Sequence, residues 1–67
     1  MEFLERARIR MEHWISHNDH HQEDYSAFAA ELERAEKTAS AQYIREMIEI
    51  NARCTECLKR ALEALDQ

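Results

Sequence analysis

The sequence contains neither glycine nor proline, and only two of its 67 residues are cysteines. Tight β-hairpins rely on residues that adopt positive φ, glycine above all, so the lack of glycine argues against a β-sheet. Charged residues make up 34% of the chain and hydrophobic residues 45%, a balance typical of helical proteins and too apolar for a disordered chain. The composition predicts an all-α fold, with residues 1–67 forming a single domain.

Basic residues are fewer than acidic ones, 9 against 14, so the formal net charge is −5 at pH 7. A general nucleic-acid binder normally presents a basic face, so we expect no nucleic-acid partner. No apolar run approaches the ~20 residues of a membrane helix, and the opening stretch MEFLERARIR carries too many charges for a signal peptide. We therefore expect no membrane partner and a cytoplasmic protein with reduced cysteines.

Apolar residues recur every seven positions through the first half of the chain, as they do in packed helices. Only Asn18 and His21 interrupt this pattern, and its phase is the same before and after them. A loop at that point would have allowed the phase to slip, so we predict one continuous helix over residues 2–36. The two series are Leu4, Met11, Asn18, Tyr25 and Leu32, and Ala7, Trp14, His21, Phe28 and Ala35.

The segment HWISHNDHHQED, which holds all four histidines, leaves an alternative open. Asparagine, aspartate and histidine are mediocre helix formers. Asp19 followed by Gln22 three residues later can also cap a new helix. In this interpretation the chain breaks at Asn18 and folds into three helices instead of two.

A second helix is predicted over residues 39–66, with Thr38 or Ser40 as its N-cap. A short turn between two long helices indicates an antiparallel helical hairpin. The apolar residues of this helix again keep a seven-residue phase. They are Ile44, Met47, Asn51, Cys54, Leu58, Ala61 and Leu65, flanked by Tyr43, Ile48, Ile50 and Leu62.

These apolar stripes are wider than a two-helix interface can cover. Two helices shield only one side of each other, and the flanking residues Ile15, Ile48 and Leu62 extend the stripes beyond it. Pairing two hairpins around a two-fold axis buries the remainder. We therefore expect a homodimer in the form of a four-helix bundle.

A candidate metal site follows from the register of the predicted hairpin. If the helices meet between residues 36 and 39, facing residue numbers sum to about 75, which places His21 level with Cys54 and His17 level with Cys57. Two imidazoles and two thiolates can hold a tetrahedral Zn²⁺, and the same donors accept Ni or Co. The sequence therefore suggests a transition-metal protein with a storage, sensing or delivery role.

Other interpretations of these residues stay open. His13, His20 and Asp24 are alternative ligands, with His13 extending the ladder of His17 and His21 at four-residue spacing. The polar residues can also form a layer that serves only to fix helix register in an assembly module that recruits a protein partner. The members of this predicted layer are His17, Asn18, His21, Tyr25, Asn51, Cys54 and Cys57. An enzyme is not favoured, because no loop offers free backbone N–H groups for an oxyanion hole.

The run His13-Trp14, His17-Asn18, His21 and Tyr25 resembles a motif, HWxxHNxxHxxxF/Y, of small prokaryotic helical proteins of unassigned function. The closing ALEAL of residues 61–65 is similar as well. The resemblance implies a helical hairpin and singles out the same histidines and Asn18, and it implies no activity.

Overall fold

The computed structural model describes residues 2–67 and consists of two long antiparallel helices. Helix α1 spans Glu2–Arg34 and helix α2 spans Thr38–Ala64, so both end about two residues earlier than predicted. The Cα atoms extend over 52 × 15 × 11 Å. The all-α hairpin fold is thus confirmed. The three-helix alternative is wrong, because α1 runs through Asn18 and Asp19 without interruption.

A left-handed residue ends α1 in place of the usual glycine. Glu36 has φ 63°, and its N–H donates to the carbonyl of Glu33 at 3.0 Å while the Lys37 N–H donates to that of Leu32 at 2.8 Å. This is the Schellman arrangement, in which two of the last free carbonyls of a helix find donors. Because the chain has no glycine, a glutamate takes a conformation that crowds its Cβ.

The start of α2 corrects the predicted cap. Lys37 is the N-cap, and no side chain caps this end of the helix. Thr38 and Ser40 already lie within the helix, where the Lys37 carbonyl accepts from the Ala41 N–H at 3.0 Å. The Schellman turn reverses the chain in three residues, so α2 begins before either hydroxyl can occupy the cap position.

The two helices pack along a seam in which residues are spaced three and four apart, as in coiled coils. The first predicted series, from Met11 to Leu32, lies in this seam. The second, with Trp14, His21 and Phe28, does not, because the seam uses the residue that follows each of them. The seam residues are Met11, Ile15, Asn18, Gln22, Tyr25, Ala29 and Leu32 on α1, and Ala41, Ile44, Ile48, Asn51, Thr55, Leu58, Leu62 and Leu65 on α2.

The positions on either side of the seam differ sharply in chemistry. Because the helices are right-handed and antiparallel, residues one position before a seam residue lie on the same side of the hairpin in both helices. We call this side the apolar face. Its main residues are Phe3, Ala7, Trp14, His17, His21 and Phe28 on α1, and Tyr43, Met47, Ile50, Cys54, Cys57 and Ala61 on α2. Three charged residues of α1, Arg10, Asp24 and Glu31, lie on this side as well.

The residues that follow each seam position form the opposite side, which we call the charged face. It includes Glu12, Asp19, Glu23 and Glu33 on α1, and Arg45, Glu49, Glu56, Lys59, Glu63 and Asp66 on α2.

Burial within one hairpin is small. Among residues 2–67 only Ala29, Ala41 and Thr55 are buried, and no large side chain is fully enclosed. On the apolar face, Trp14 is 47% exposed and Phe28 and Ile50 are each 50% exposed. A single hairpin therefore leaves its largest apolar side chains in water.

Candidate functional site

Four aromatic rings form a ladder along the middle of α1. The rings of His13 and His17 stack with centroids 5.9 Å apart, and those of His21 and Tyr25 stack at 5.7 Å. Between them, His17 and His21 meet edge to face at 4.3 Å. The spacing of four residues produces this ladder, because such residues project one above another on a helix.

The His17–His21 contact is the closest polar contact on the apolar face among the described residues. The two Nε2 atoms lie 2.8 Å apart, which is a hydrogen bond in which one ring donates and the other accepts. Two imidazole nitrogens that bind one tetrahedral Zn²⁺ lie about 3.3 Å apart, so these rings need only a small separation before both could be ligands of one ion.

The two thiols lie on the same face, carried by α2. Cys54 and Cys57 are free and exposed. Cross-helix contacts place them near the histidines along the rod, because Asn51 bonds to Asn18 and Gln22. Asn51 thus lies level with residues 18–22, which puts Cys54 level with His17 and Cys57 about one turn further toward the open end. The predicted pairing of His21 with Cys54 and of His17 with Cys57 is displaced by about one helical turn.

One hairpin does not assemble a complete ligand set. Among residues 2–67, no three His, Cys, Asp or Glu side chains lie close enough together to hold a metal ion. Of the alternative ligands, His13 touches the ladder through its stack on His17. His20 and Asp24 are exposed and belong to no ring contact in the described chain.

A hydrogen-bonded layer crosses the seam beside the histidines, and its composition differs from the predicted polar layer. Asn51 donates to the Gln22 side chain at 2.6 Å and to the Asn18 carbonyl at 3.2 Å, while Gln22 donates to the Ile48 carbonyl at 3.0 Å. Thr55 is buried and donates to the Asn51 carbonyl at 3.1 Å. No buried side-chain nitrogen or oxygen between residues 2 and 67 lacks a partner.

The predicted layer included Asn51 and Asn18 correctly. It also contained His17, His21, Tyr25 and the cysteines, which are not part of the observed layer, and it missed Gln22 and Thr55. Gln22 lies four residues after Asn18, so its position in the seam was readable from the sequence. The sequence did not single out Gln22, because its neighbour His21 belongs to an equally regular seven-residue series of mostly apolar residues.

Two ion pairs tie the helices together at opposite ends. Near the turn, Arg45 donates to both carboxylate oxygens of Glu33 at 2.8 Å, and this hydrogen-bonded pair lowers the pKa of Glu33. At the open end Arg8 bonds to Asp66 and lowers the pKa of that carboxyl in the same way. Bidentate geometry makes such pairs directional, so they support the observed register.

Between residues 2 and 67, neither helix has a stretch long and apolar enough to cross a membrane. Comparison with curated proteins and with solved structures found no match. The profile of a domain of unknown function, DUF8180, matches residues 7–65. This match covers most of the hairpin, including the histidine ladder and both cysteines, and the chain therefore belongs to the DUF8180 family.

Proposed function

We propose that this protein is a homodimeric helical module that binds a transition metal ion, Zn²⁺ or alternatively Ni²⁺ or Co²⁺, on its apolar face. The observation that carries the proposal is the 2.8 Å approach of the His17 and His21 Nε2 atoms, with free Cys54 and Cys57 on the same face. Imidazole and thiolate are the donors that these ions prefer. Storage, sensing or delivery of the ion is the role such a site would serve.

Dimerisation is supported by the area that one hairpin leaves in contact with water. The chain exposes 5377 Å², whereas a compact folded monomer of 8.0 kDa exposes about 4,450 Å². The excess of about 900 Å² is close to the ~800 Å² that each partner buries in a standard protein interface. An elongated rod with a continuous apolar face is the shape that a second copy can cover.

Metal binding would use groups that the apo hairpin keeps on the surface. His17 and both cysteines are exposed and His21 is partly exposed, so an ion can reach them before or during dimerisation. Binding requires neutral imidazoles and deprotonated thiols, so the apparent affinity should increase as the pH is raised from acidic toward neutral values.

A second function, an assembly module without metal, is favoured by the hydrogen-bonded layer of Gln22 and Asn51. Every buried side-chain nitrogen or oxygen in the described chain has a partner, so this layer needs no ion to satisfy its hydrogen bonds. Polar pairs of this kind fix the register of helices. In that function the apolar face would bind another protein, and the histidines would lie at the edge of the interface.

Metal analysis of protein purified without a histidine tag separates the two functions. We expect the wild type to retain a transition metal and His21→Ala to lose it, with Cys54→Ala reporting whether a thiol takes part. His20→Ala is the matched control, since it removes an exposed imidazole one residue away and outside the ladder. A metal-free wild type whose melting does not respond to a chelator would favour the assembly module.

A further inference from the structure

Resting on the proposed function, we propose that the two protomers dock with their α1 helices antiparallel and in contact. His17 and His21 of one chain then meet the partner's His17 and His21 on the two-fold axis. The metal site is a cluster of four imidazoles, and each dimer binds one ion. Cys54 and Cys57 lie outside this ligand set.

Basic and acidic residues are separated along the apolar side of α1. Arg6 and Arg10 lie in its first third, where they line one cavity together with Phe3 and Trp14. The two histidines follow in the middle, and Asp24 and Glu31 occupy the last third. The corresponding positions of α2, from Tyr43 to Ala61, carry no formal charge.

Two arrangements of the hairpins satisfy two-fold symmetry when their apolar faces meet. In one, each α1 lies across the partner's α2 and both turns are at the same end of the bundle. That arrangement brings the basic ends of the two α1 helices together, and the acidic ends as well, while α2 offers no opposite charge. In the other, α1 lies antiparallel on the partner's α1 and the turns are at opposite ends. Basic ends then meet acidic ends.

Charge complementarity selects the second arrangement, because like charges at one end of an interface oppose association and opposite charges favour it. When the pair is centred on residue 19, residue n faces residue 38 − n of the partner. Arg10 then lies within one helical turn of both Asp24 and Glu31 of the partner subunit. Each contact occurs twice in the dimer because of the symmetry.

The same register brings the histidines together. Helix α1 spans Glu2–Arg34, so two antiparallel copies overlap completely when they are centred on residue (2 + 34)/2 = 18. The midpoint of His17 and His21 is residue 19, one position away. Complete overlap of the apolar faces therefore places the converging Nε2 pair of one chain opposite the same pair of the other.

The dimer supplies the number of ligands that a tetrahedral metal ion needs. One chain supplies two nitrogen donors, and no third candidate ligand joins them within residues 2–67. A tetrahedral ion needs four, which the two-fold axis provides. On α2, Cys54 and Cys57 lie against the partner's α2 instead of the histidines. Four imidazoles favour Zn²⁺, Ni²⁺ and Co²⁺ over the soft Cu(I) that thiolates select.

An ion held by both chains also links metal supply to assembly. Because the complete site exists only in the dimer, metal binding should lower the dimer dissociation constant, and dimerisation should raise metal affinity by the same factor. The protein would then convert a change in metal concentration into a change in the exposure of its apolar face.

Titration of the full-length, tag-free protein with Co²⁺ tests the ligand set. We expect saturation at half an ion per chain and a tetrahedral absorption spectrum without a thiolate-to-cobalt charge-transfer band. The double variant Cys54→Ser/Cys57→Ser should bind with the same stoichiometry and within about threefold of the wild-type affinity. His17→Ala and His21→Ala should each lose tight binding, since a single substitution removes two of four ligands.

The contrary outcomes are distinct. One ion per chain, a charge-transfer band and loss of binding in the double cysteine variant would overturn this inference and leave the proposed metal function intact. No binding of Co²⁺ or Zn²⁺ by the wild type would overturn both.

Reversing the charges of Arg10 and Glu31 tests the docking geometry in the absence of metal. In sedimentation equilibrium, we expect Arg10→Glu to raise the dissociation constant by about tenfold, since symmetry doubles the loss of a surface pair. Adding Glu31→Arg should restore most of the affinity. A double variant no stronger than Arg10→Glu alone would overturn the antiparallel contact of the α1 helices.

Discussion

The two broad faces of the hairpin are built on the same two helices but have opposite chemistry. Positions immediately before the seam residues carry Trp14, Phe28, Met47 and Ile50, whereas positions immediately after them carry mostly charged groups. A monomer that functioned alone would be expected to expose polar residues on both sides. The asymmetry therefore agrees with the proposed homodimer, in which the charged face alone would remain in water.

The seam between the faces is narrow and built partly from small side chains. Ala29 and Ala41 are 0% and 1% exposed, so the helices approach closely near the turn. Larger apolar residues lie one position away on the apolar face. The hairpin thus leaves several of its bulkiest apolar side chains, among them Trp14 and Phe28, outside the seam.

The largest effect should come from placing a charge on the apolar face. We expect Trp14→Glu to raise the dimer dissociation constant at least about thirtyfold, since buried aromatic anchors contribute about 2 kcal/mol or more to an interface. Sedimentation velocity over a concentration series measures the change.

The matched control for this variant is Ser16→Glu. Ser16 is exposed, belongs to the same helix and follows the seam residue Ile15 toward the charged face. Its substitution should leave dissociation unchanged within about twofold. Equal effects of the two variants would remove the distinction between the faces.

A smaller effect is expected in the seam, at the Gln22–Asn51 layer. Asn51→Leu leaves the part-buried Gln22 amide and the Asn18 carbonyl without their donor, which should lower the free energy of unfolding by about 1–3 kcal/mol. Chemical denaturation at fixed protein concentration measures this loss.

The double variant Gln22→Leu/Asn51→Leu should recover most of that stability, because neither side of the layer then contains an unpaired polar group. Recovery would show that the layer acts on register more than on stability. A double variant that is less stable than Asn51→Leu alone would contradict this interpretation.

The sequence was sufficient for the helical hairpin because the apolar phase persists through Asn18 and His21. It did not identify which of two adjacent stripes forms the seam. Trp14 and Phe28 are more hydrophobic than Gln22 and Ala29, so hydrophobicity alone favours the stripe that lies on the apolar face. Close packing between helices depends on side-chain size as well as on hydrophobicity, and small residues decided this seam.

The sequence placed the histidines and cysteines in the same part of the rod, but the predicted register was off by about one helical turn, because the turn lies earlier in the chain than assumed, between Arg34 and Thr38. The contact between the Nε2 atoms of His17 and His21 was not predictable, because it depends on rotamers that spacing does not specify. The turn was also unpredictable in detail. Glycine normally marks a left-handed helix end, and Glu36 gives no such signal.

A substitution in that turn should increase the free energy of unfolding by about 1 kcal/mol. Glu36→Gly removes the Cβ that is crowded at φ 63° and should raise the free energy of unfolding by about 1 kcal/mol, net of the extra freedom of the unfolded chain. Ala35→Gly, at the preceding right-handed position, should instead lower it by about 0.5–1 kcal/mol. Thermal and urea unfolding of both variants test the contrast.

The smallest effect should come from the ion pair near the turn, and it concerns the charged face alone. Arg45 lowers the pKa of Glu33 below its ordinary value of 4.5, so the pair stabilises the folded state above that pH and this contribution is lost as the pH falls through the lowered folded value. Stability should therefore differ between wild type and Glu33→Gln at pH 7 and converge in acid. Both side chains are about half exposed, at 48% and 46%, so solvent screens the pair and 1 M salt should reduce the difference further.

The control for this variant is Glu23→Gln, because Glu23 lies on the same face and forms no ion pair within residues 2–67. If Glu33→Gln and Glu23→Gln show the same pH profile, Arg45 does not contribute measurably to the register of the hairpin.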